Sequence, residues 1–341
     1  MKVSLVIPAY NVGHTIGRTL DACLRQDVGP HEVEIVVVDD GSTDDTAEQV
    51  QRYPVKYVRQ QNAGAAIARN TGVSAATGEI IAFIDSDCEP TGDTLLCITE
   101  ALEREPDGCI VGGIYAPAQD SPLIEAAINE EIRYRHVRAP EEVQHIGSFC
   151  MAMRQEHLRE IGAFNRRYER SEDLDLSYRA ADKGYRLRTL QGACFIHHHP
   201  RTVTSWLKDQ YHKARGRVEN TLRFSKMLKS DGYTDHRDWA SLLLAMLAAM
   251  AIPLIWLPRV RWIALGSLGL SALLQVPLAA FAVRDTGDWR QVVLIPLQLL
   301  RGFAWAAGAV VGLGTGGKDL LRERLAAQRK PEDADAAADT L

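Results

Sequence analysis

The chain lacks paired cysteines. Its six, Cys23, Cys88, Cys97, Cys109, Cys150 and Cys194, show no Cys-x-x-Cys spacing and fall mostly in segments of core character. That pattern argues against zinc ligation and a disulfide framework and fits reduced, buried thiols of a cytosolic domain. Positive charge is scarce in the first part: residues 1–200 carry 20 Lys/Arg against 31 Asp/Glu, a net of −11. Such a surface is a poor nucleic-acid binder, and it needs a cation before it can hold a diphosphate. A basic region ahead of an apolar stretch is also missing at the N-terminus, so no cleaved signal is expected. Residues 201–341 have the opposite character, with 19 Lys/Arg against 13 Asp/Glu, a net of +6.

What the sequence does contain is an alternation of strand and helix patterns. Lys2 to Pro8 reads as a strand running into Pro8-Ala9-Tyr10-Asn11, where proline ends the ladder. Ile16, Leu20, Cys23 and Leu24 give helix spacing over Thr15 to Arg25. Glu34 to Val38 is a buried-type strand leading into Asp39-Asp40-Gly41-Ser42-Thr43-Asp44, a turn suited to cap a helix through Val50. A strand over Lys56 to Arg59 precedes a small-residue helix over Asn62 to Asn70 that ends near Gly72. Ile80 to Ile84, five apolar residues, then suits a strand covered on both faces. Polar residues gather where strands end, as in open α/β sheets, whose ligands bind there.

The last of these strands ends in Asp85-Ser86-Asp87. A turn can converge two such carboxylates on one cation, and open-sided oxygen ligation suits Mg²⁺ or Mn²⁺ holding a diphosphate. Farther on, Ile124 to Arg138 reads as a polar helix, Gly147 to Met153 as a strand, and Ala193 to Ile196 as another. Ser171-Glu172-Asp173 opens a helix through Asp182, where the helix dipole favours carboxylates at the N-terminus by about 0.3–1 kcal/mol. His197-His198-His199 suggests a metal, but side chains diverge along a strand, so three cannot readily bind one ion.

Val-Ile-Pro-Ala-Tyr-Asn, Val-Asp-Asp-Gly-Ser-Thr-Asp, Asn-Ala-Gly-Ala-Ala-Ile-Ala-Arg-Asn, Asp-Ser-Asp and Ser-Glu-Asp-Leu-Asp-Leu-Ser-Tyr-Arg occur in that order over roughly residues 2–200. This region resembles the family 2 inverting glycosyltransferases of the GT-A fold, a Rossmann-like mixed α/β sheet with helices on both faces. The resemblance implies that Pro8, Ala9 and Tyr10, with one or both of Asp39 and Asp40, hold the uracil and ribose of a nucleotide-sugar. By the same likeness Arg69 contacts the nucleotide, Asp87 ligates the metal, and Asp85 holds ribose or sugar and supports the metal. Asp173 becomes the preferred catalytic base, with Glu172 as the neighbour that orients the acceptor. His197 occupies the place where many GT-A enzymes complete the metal site with a histidine. Gly147 and Ser148 fall on the acceptor side. The chemistry needs one carboxylate, because the acceptor hydroxyl loses its proton as it attacks the anomeric carbon.

Beyond residue 200, Val203, Leu207, Tyr211, Ala214, Val218 and Leu222 recur at helix period, and residues 201–229 carry eight Lys/Arg against two Asp/Glu. With Trp206 near its start and Lys208, Lys213, Arg215 and Arg217 along it, this helix reads as lying on an anionic membrane surface. A core-facing helix with a solvated basic side is the alternative. Three apolar stretches follow, Trp239–Leu257, Trp262–Val283 and Val292–Leu313, each close to bilayer length, with tryptophans near their ends.

Topology is where the pattern conflicts with itself. Three spans put the C-terminus outside, yet Lys318, Arg322, Arg324, Arg329 and Lys330 mark an inside tail. Either the Pro253-containing first stretch or the Arg301-containing third is then re-entrant or interfacial. The expected divisions are a donor half over 1–118, an acceptor half over 119–200, and interfacial helices over 201–238. Two or three spans over 239–315 and a cytoplasmic or disordered tail over 316–341 complete them.

The expectation is a multi-pass enzyme of the cytoplasmic (inner) membrane, with its catalytic domain in the cytoplasm. It uses Mg²⁺ or Mn²⁺ to transfer sugar from a UDP-linked donor to a polyprenyl-linked glycan in envelope or exopolysaccharide assembly. An assembly complex or a homo-oligomer is its expected protein partner. A polyprenyl-phosphate monoglycosyltransferase and a non-catalytic assembly scaffold are the alternatives. The Gln-x-x-Arg-Trp motif of processive synthases is absent, with only a loose echo at Gln210 to Arg215.

Overall fold

The computed structural model of the chain describes residues 1–105, 108–118, 121–168, 171–223 and 236–328. Strands β1 (Lys2–Ala9), β2 (Glu32–Asp39), β3 (Lys56–Arg59) and β4 (Ile80–Ile84) lie parallel in the order β3-β2-β1-β4. Helices α1 (Ile16–Leu24), α2 (Thr46–Val50) and α3 (Ala65–Ala75) connect them. The second half continues the same sheet past β4 with β8 (Cys150–Arg154), β6 (Cys109–Tyr115), β9 (Arg186–His197) and β5 (Cys88–Thr91). There β8 runs antiparallel to both β4 and β6, so the sheet is mixed. Short β7 (Glu142–Val143) pairs with β9.

Side chains alternate across this sheet, as strand geometry requires. Leu5 and Ile7 face a layer made by Ile16 and Leu20 of α1 and Leu95, Ile98 and Leu102 of α4 (Thr94–Arg104). Val6, Ile81 and Phe83 face the other way, onto Leu158 and Ile161 of α6 (Gln155–Ile161) and Leu176 of α7 (Glu172–Asp182). Gly72 permits α3 to close on β1, since a Cβ there would sit 2.3 Å from Val6 Cγ1. The six cysteines are free, four of them buried, and burial pushes the Cys23 thiol up to about 12. Thiols so protonated are inert.

Several local expectations shift. Residues Gly147 and Ser148 lie in a turn before β8, which begins only at Cys150. Strand β9 starts at Arg186, before Ala193, because its first half pairs with β6. Ser171 precedes α7 in the left-handed region (φ 84°) without a side-chain cap. Asp44, from the turn expected to cap α2, accepts from Thr46 N at the start of that helix.

The C-terminal part is attached to the sheet domain through α5 (Leu123–His136). Helix α8 (Val203–Arg223) buries Trp206, 2% exposed, among Ala127 and Ile128 of α5 and Leu278, Ala279 and Leu297. The reading of Trp206 as a membrane-surface anchor is therefore corrected: its indole completes a protein core. Helices α9 (His236–Ala251) and α10 (Pro258–Leu274) form an antiparallel hairpin whose open end is tied by Gln275 Nε2 donating to Ser241 Oγ at 2.9 Å. α11 (Val276–Thr286) packs on α5, and Arg133 pairs with Asp285. α12 (Leu294–Gln328) carries helix into what was expected to be tail; residues 329–341 and 224–235 lie outside the described residues.

Arg301 of α12 is buried. It donates to Gln210 Oε1 and Glu131 Oε1 at 3.0 Å each and to Gln298 Oε1 at 2.8 Å. Arg135 bridges the same Glu131 to Asp238 of α9. Arg301→Ala removes charged donors from three buried acceptors, and a loss on the order of 2 kcal/mol is expected. The check is the unfolding midpoint in detergent, with Arg301→Lys recovering only part because an ammonium cannot fork.

Candidate functional site

The site forms where β1, β2 and β4 end. Asn11, at φ 52°, follows the Pro8-Ala9-Tyr10 segment and locks its loop to the next one. Its N–H donates to Ser42 Oγ at 3.0 Å and its side-chain carbonyl accepts from Thr43 N at 2.8 Å. Ala9 is buried, Pro8 half-buried, and Tyr10 is 49% exposed at the mouth.

Asp39 and Asp40 are both buried and bonded to the protein. Asp39 accepts from Ser42 N at 2.7 Å and from the Tyr57 hydroxyl at 2.6 Å. Burial pushes its pKa up, but these donors and Arg59 outweigh that and hold it below the ordinary range. Asp40 accepts from Gln60 Nε2, Ala63 N and Gly64 N, between 2.6 and 2.9 Å, and so shapes the entry into α3. These carboxylates organise the loop after β2 and the entry into α3, a role the Asp-Asp motif alone did not disclose.

Arg69 joins two carboxylates. It is 4% exposed, and its guanidinium donates to Asp85 Oδ1 at 2.7 Å and Glu172 Oε1 at 2.6 Å. Burial would lower its pKa, but the two carboxylates reverse the effect and keep it charged. In this arrangement Arg69 bridges the end of β4 to the start of α7. Phe164 flanks the guanidinium at 5.5 Å and is itself fixed by Asn70, whose side chain bonds both its N–H and its carbonyl at 2.9 Å.

Asp173 lies next to Glu172 at the first turn of α7. It accepts from Leu174 N at 2.8 Å and Ser148 N at 3.3 Å, and His145 Nε2 lies 3.5 Å from its Oδ2. Burial would raise its pKa, but His145, Arg69 and Leu174 N together hold it well below the usual carboxylate range. Glu172 goes the other way, pushed up by burial and by Asp173 against the pull of Arg69. One carboxylate is kept ionised and open to a hydroxyl while the other is committed to Arg69. His145 belongs to no motif and sits 28 positions from its partner, so spacing could not reveal it.

On the opposite wall, Asp87, Cys88 and His197 place one ligand atom each within 4.8 Å of one another. His197 Nε2 is 3.7 Å from Asp87 Oδ1, too far for a hydrogen bond but suited to two ligands of one cation at about 2.1 Å each. Its Nδ1 is buried without a partner. Cys88 offers a soft sulfur, whereas Mg²⁺ and Mn²⁺ favour oxygen and nitrogen, so it fits as a neighbour rather than a ligand. A divalent cation therefore fits Asp87 and His197. The His run divides: His197 and His199 stack at 4.2 Å, while His198 turns away to Glu89 at 2.6 Å. Of the basic residues on α8, Lys213 and Arg215 pair along the helix with Asp209 and Glu219.

Residues 4–162 match the family model described as Glycosyl transferase family 2. Glycosyltransferase AglE of Haloferax volcanii is 27% identical over 232 residues, 64% of this chain and 73% of that protein. The chondroitin synthase of Pasteurella multocida is 30% identical over 200 residues, 57% of this chain but only 20% of that protein. Among solved structures, the mannosyltransferase PcManGT of Pyrobaculum calidifontis, in complex with GDP-Man and Mn²⁺, overlaps with a TM-score of 0.58. That overlap, at 21% identity, covers 90% of this chain and 86% of that one, and shows the fold.

Two outcomes test this geometry. Arg69→Met leaves the buried Glu172 and the half-buried Asp85 unpaired, and a loss of about 3 kcal/mol is expected from the unfolding midpoint. Asp173, with its native pKa depressed, favours the folded state at neutral pH, and that contribution is lost only as pH falls through its lowered native pKa. His145→Ala raises that pKa, so the acid limb of the kcat/KM profile should move to higher pH than in the unsubstituted protein.

Proposed function

This chain belongs to glycosyl transferase family 2 and is a glycosyltransferase, and on that premise we propose that it transfers sugar from a nucleotide-sugar to a lipid-linked glycan. The observation that carries the reading is the arrangement around Arg69. The Asp85–Asp87 turn and the Glu172–Asp173 helix start are joined through one guanidinium, so the donor end and the base end of the site are held together. A nucleotide at the tips of β1 and β2 would meet Tyr10 and the loop set by Asp39 and Asp40. Asp87 and His197 would hold a divalent cation, Mg²⁺ or Mn²⁺, which when bound neutralises the diphosphate as it departs.

The chain's own residues supply the rest. Asp173 accepts the proton of the acceptor hydroxyl as that oxygen attacks the anomeric carbon. His145 and Ser148 N hold the carboxylate in position, and Glu172, fixed by Arg69, lines the acceptor side. A single displacement inverts the anomeric configuration. A lipid-linked acceptor is supported by three helical stretches long and apolar enough to cross a membrane, Arg237–Leu254, Pro258–Thr286 and Trp289–Lys318. Polyprenyl phosphate or diphosphate in envelope assembly at the cytoplasmic face of the inner membrane is the acceptor class we favour.

Two variants separate binding from chemistry. Asp87→Ala should lose donor affinity and turnover together, measured by titrating UDP-sugars and GDP-sugars with Mn²⁺ into full-length protein; undiminished donor binding in EDTA rejects the cation. Asp173→Asn should lower turnover by roughly 10²–10⁴ with donor affinity nearly unchanged. Transfer at the unsubstituted rate would move the base to another carboxylate.

A further inference from the structure

We infer that only the α9–α10 hairpin crosses the bilayer and that α12, despite its apolar length, lies on the same side as the catalytic domain. This rests on the membrane reading above and assigns its topology. The argument begins with α8. Near one end Trp206 is buried against α5, and near the other Asn220 Nδ2 donates to Ser171 O at 3.2 Å, beside the helix that carries Asp173. Both ends touch the sheet domain, so α8 lies along it. With Lys208, Asp209, Lys213, Arg215, Arg217 and Glu219 within three turns, α8 is also too charged to enter lipid.

Helix α12 runs beside α8 in the same direction and in direct backbone contact. A Cβ added to Gly308 would lie 2.3 Å from Tyr211 O, one on Gly312 2.7 Å from Arg215 O, and one on Gly316 3.2 Å from Glu219 Cγ. This is the small-residue spacing by which helices approach closely. Thr315 Oγ1 donates to Glu219 Oε1 at 2.5 Å, and Trp305 Nε1 donates to Gln210 Oε1 at 3.0 Å. From Arg301 to Gly316, then, α12 is bound to a helix that cannot cross, and it cannot cross without it. Leu300, Val310 and Leu313, exposed on its far side, suit contact with the membrane surface rather than a passage through it.

The hairpin has the opposite character. Its arms, 18 residues over Arg237–Leu254 and 17 in α10, are about 26–27 Å long at 1.5 Å per residue, close to the ~30 Å hydrocarbon core. Trp256 and Trp262, 71% and 66% exposed, stand at its tip, with Trp239 and Trp289 at its base, as interfacial belts require. Arg259 and Arg261 lie at the tip, where they reach the far headgroups. Two crossings return the chain to its starting side, which removes the conflict with the basic tail.

Site-directed labelling tests this without any assay of activity, so it fails separately from the proposed reaction. Arg261→Cys, Arg290→Cys and Thr340→Cys are made singly in the full chain and treated with a membrane-impermeant maleimide. Sealed vesicles with the catalytic domain inside are used, with the unsubstituted protein as background. We expect Arg261→Cys to label in intact vesicles, and the other two only after permeabilisation. Labelling of Thr340→Cys in intact vesicles establishes a third crossing and overturns the inference. Protection of Arg261→Cys until permeabilisation overturns it in the other direction, showing a hairpin that does not reach the far side. Gly308→Leu with Gly312→Leu should release α12 from α8 and lower the unfolding midpoint in detergent; an unchanged midpoint counts against the clasp.

Discussion

One buried guanidinium organises the catalytic half. Arg69 comes from α3, Asp85 from the end of β4, and Glu172 from the start of α7, three separate elements joined by one side chain. Without a cation beside it, the Glu172 carboxylate could not be buried this close to a second, Asp173. The pairing lets a net-negative domain gather acidic groups at one place, two of them sharing one guanidinium. It also explains why Asn70, next in sequence, grips the Phe164 backbone: the loop between α6 and α7 must be held over the guanidinium.

Much of this was legible in the sequence because local rules agree there with the global fold. The five apolar residues of β4 are buried on both faces, and the motifs at the ends of β1, β2 and β4 fall at the sheet edge that ordinary α/β geometry assigns to ligands. What could not be read is how those polar residues divide their hydrogen bonds. Asp39 and Asp40 are consecutive, yet one faces Tyr57 and Ser42 and the other faces the start of α3. Periodicity placed the carboxylates; tertiary neighbours fixed their function. His145 is the extreme case, a lone histidine given meaning by a turn that Ser148 N helps to pin.

The second half misled for a physical reason. Basic amphipathic helices on membranes and basic amphipathic helices on proteins have the same pattern, because each has one apolar stripe. Trp206 distinguishes them only through what it touches, namely Ala127 and Leu278. Likewise the stretch at 292–313 has bilayer length by composition, but Gly308 and Gly312 reserve one face for another helix's backbone. Hydropathy counts apolar residues and does not say which of them are already covered.

The core around Trp206 has a bearing on how the protein is made. It draws Ala127 and Ile128 from before the hairpin, and Leu278, Ala279, Ala282, Leu294 and Leu297 from after it. During synthesis the sheet can assemble as soon as β9 has emerged, but the indole stays uncovered until the chain has travelled into the hairpin and back. Completion of the domain therefore waits on synthesis of α11 and the start of α12, and a ribosome-bound chain carries an unfinished apolar seam throughout that interval. Quality control that recognises exposed apolar surface would see a copy lacking α11 and α12 as unfolded, even with its catalytic sheet intact.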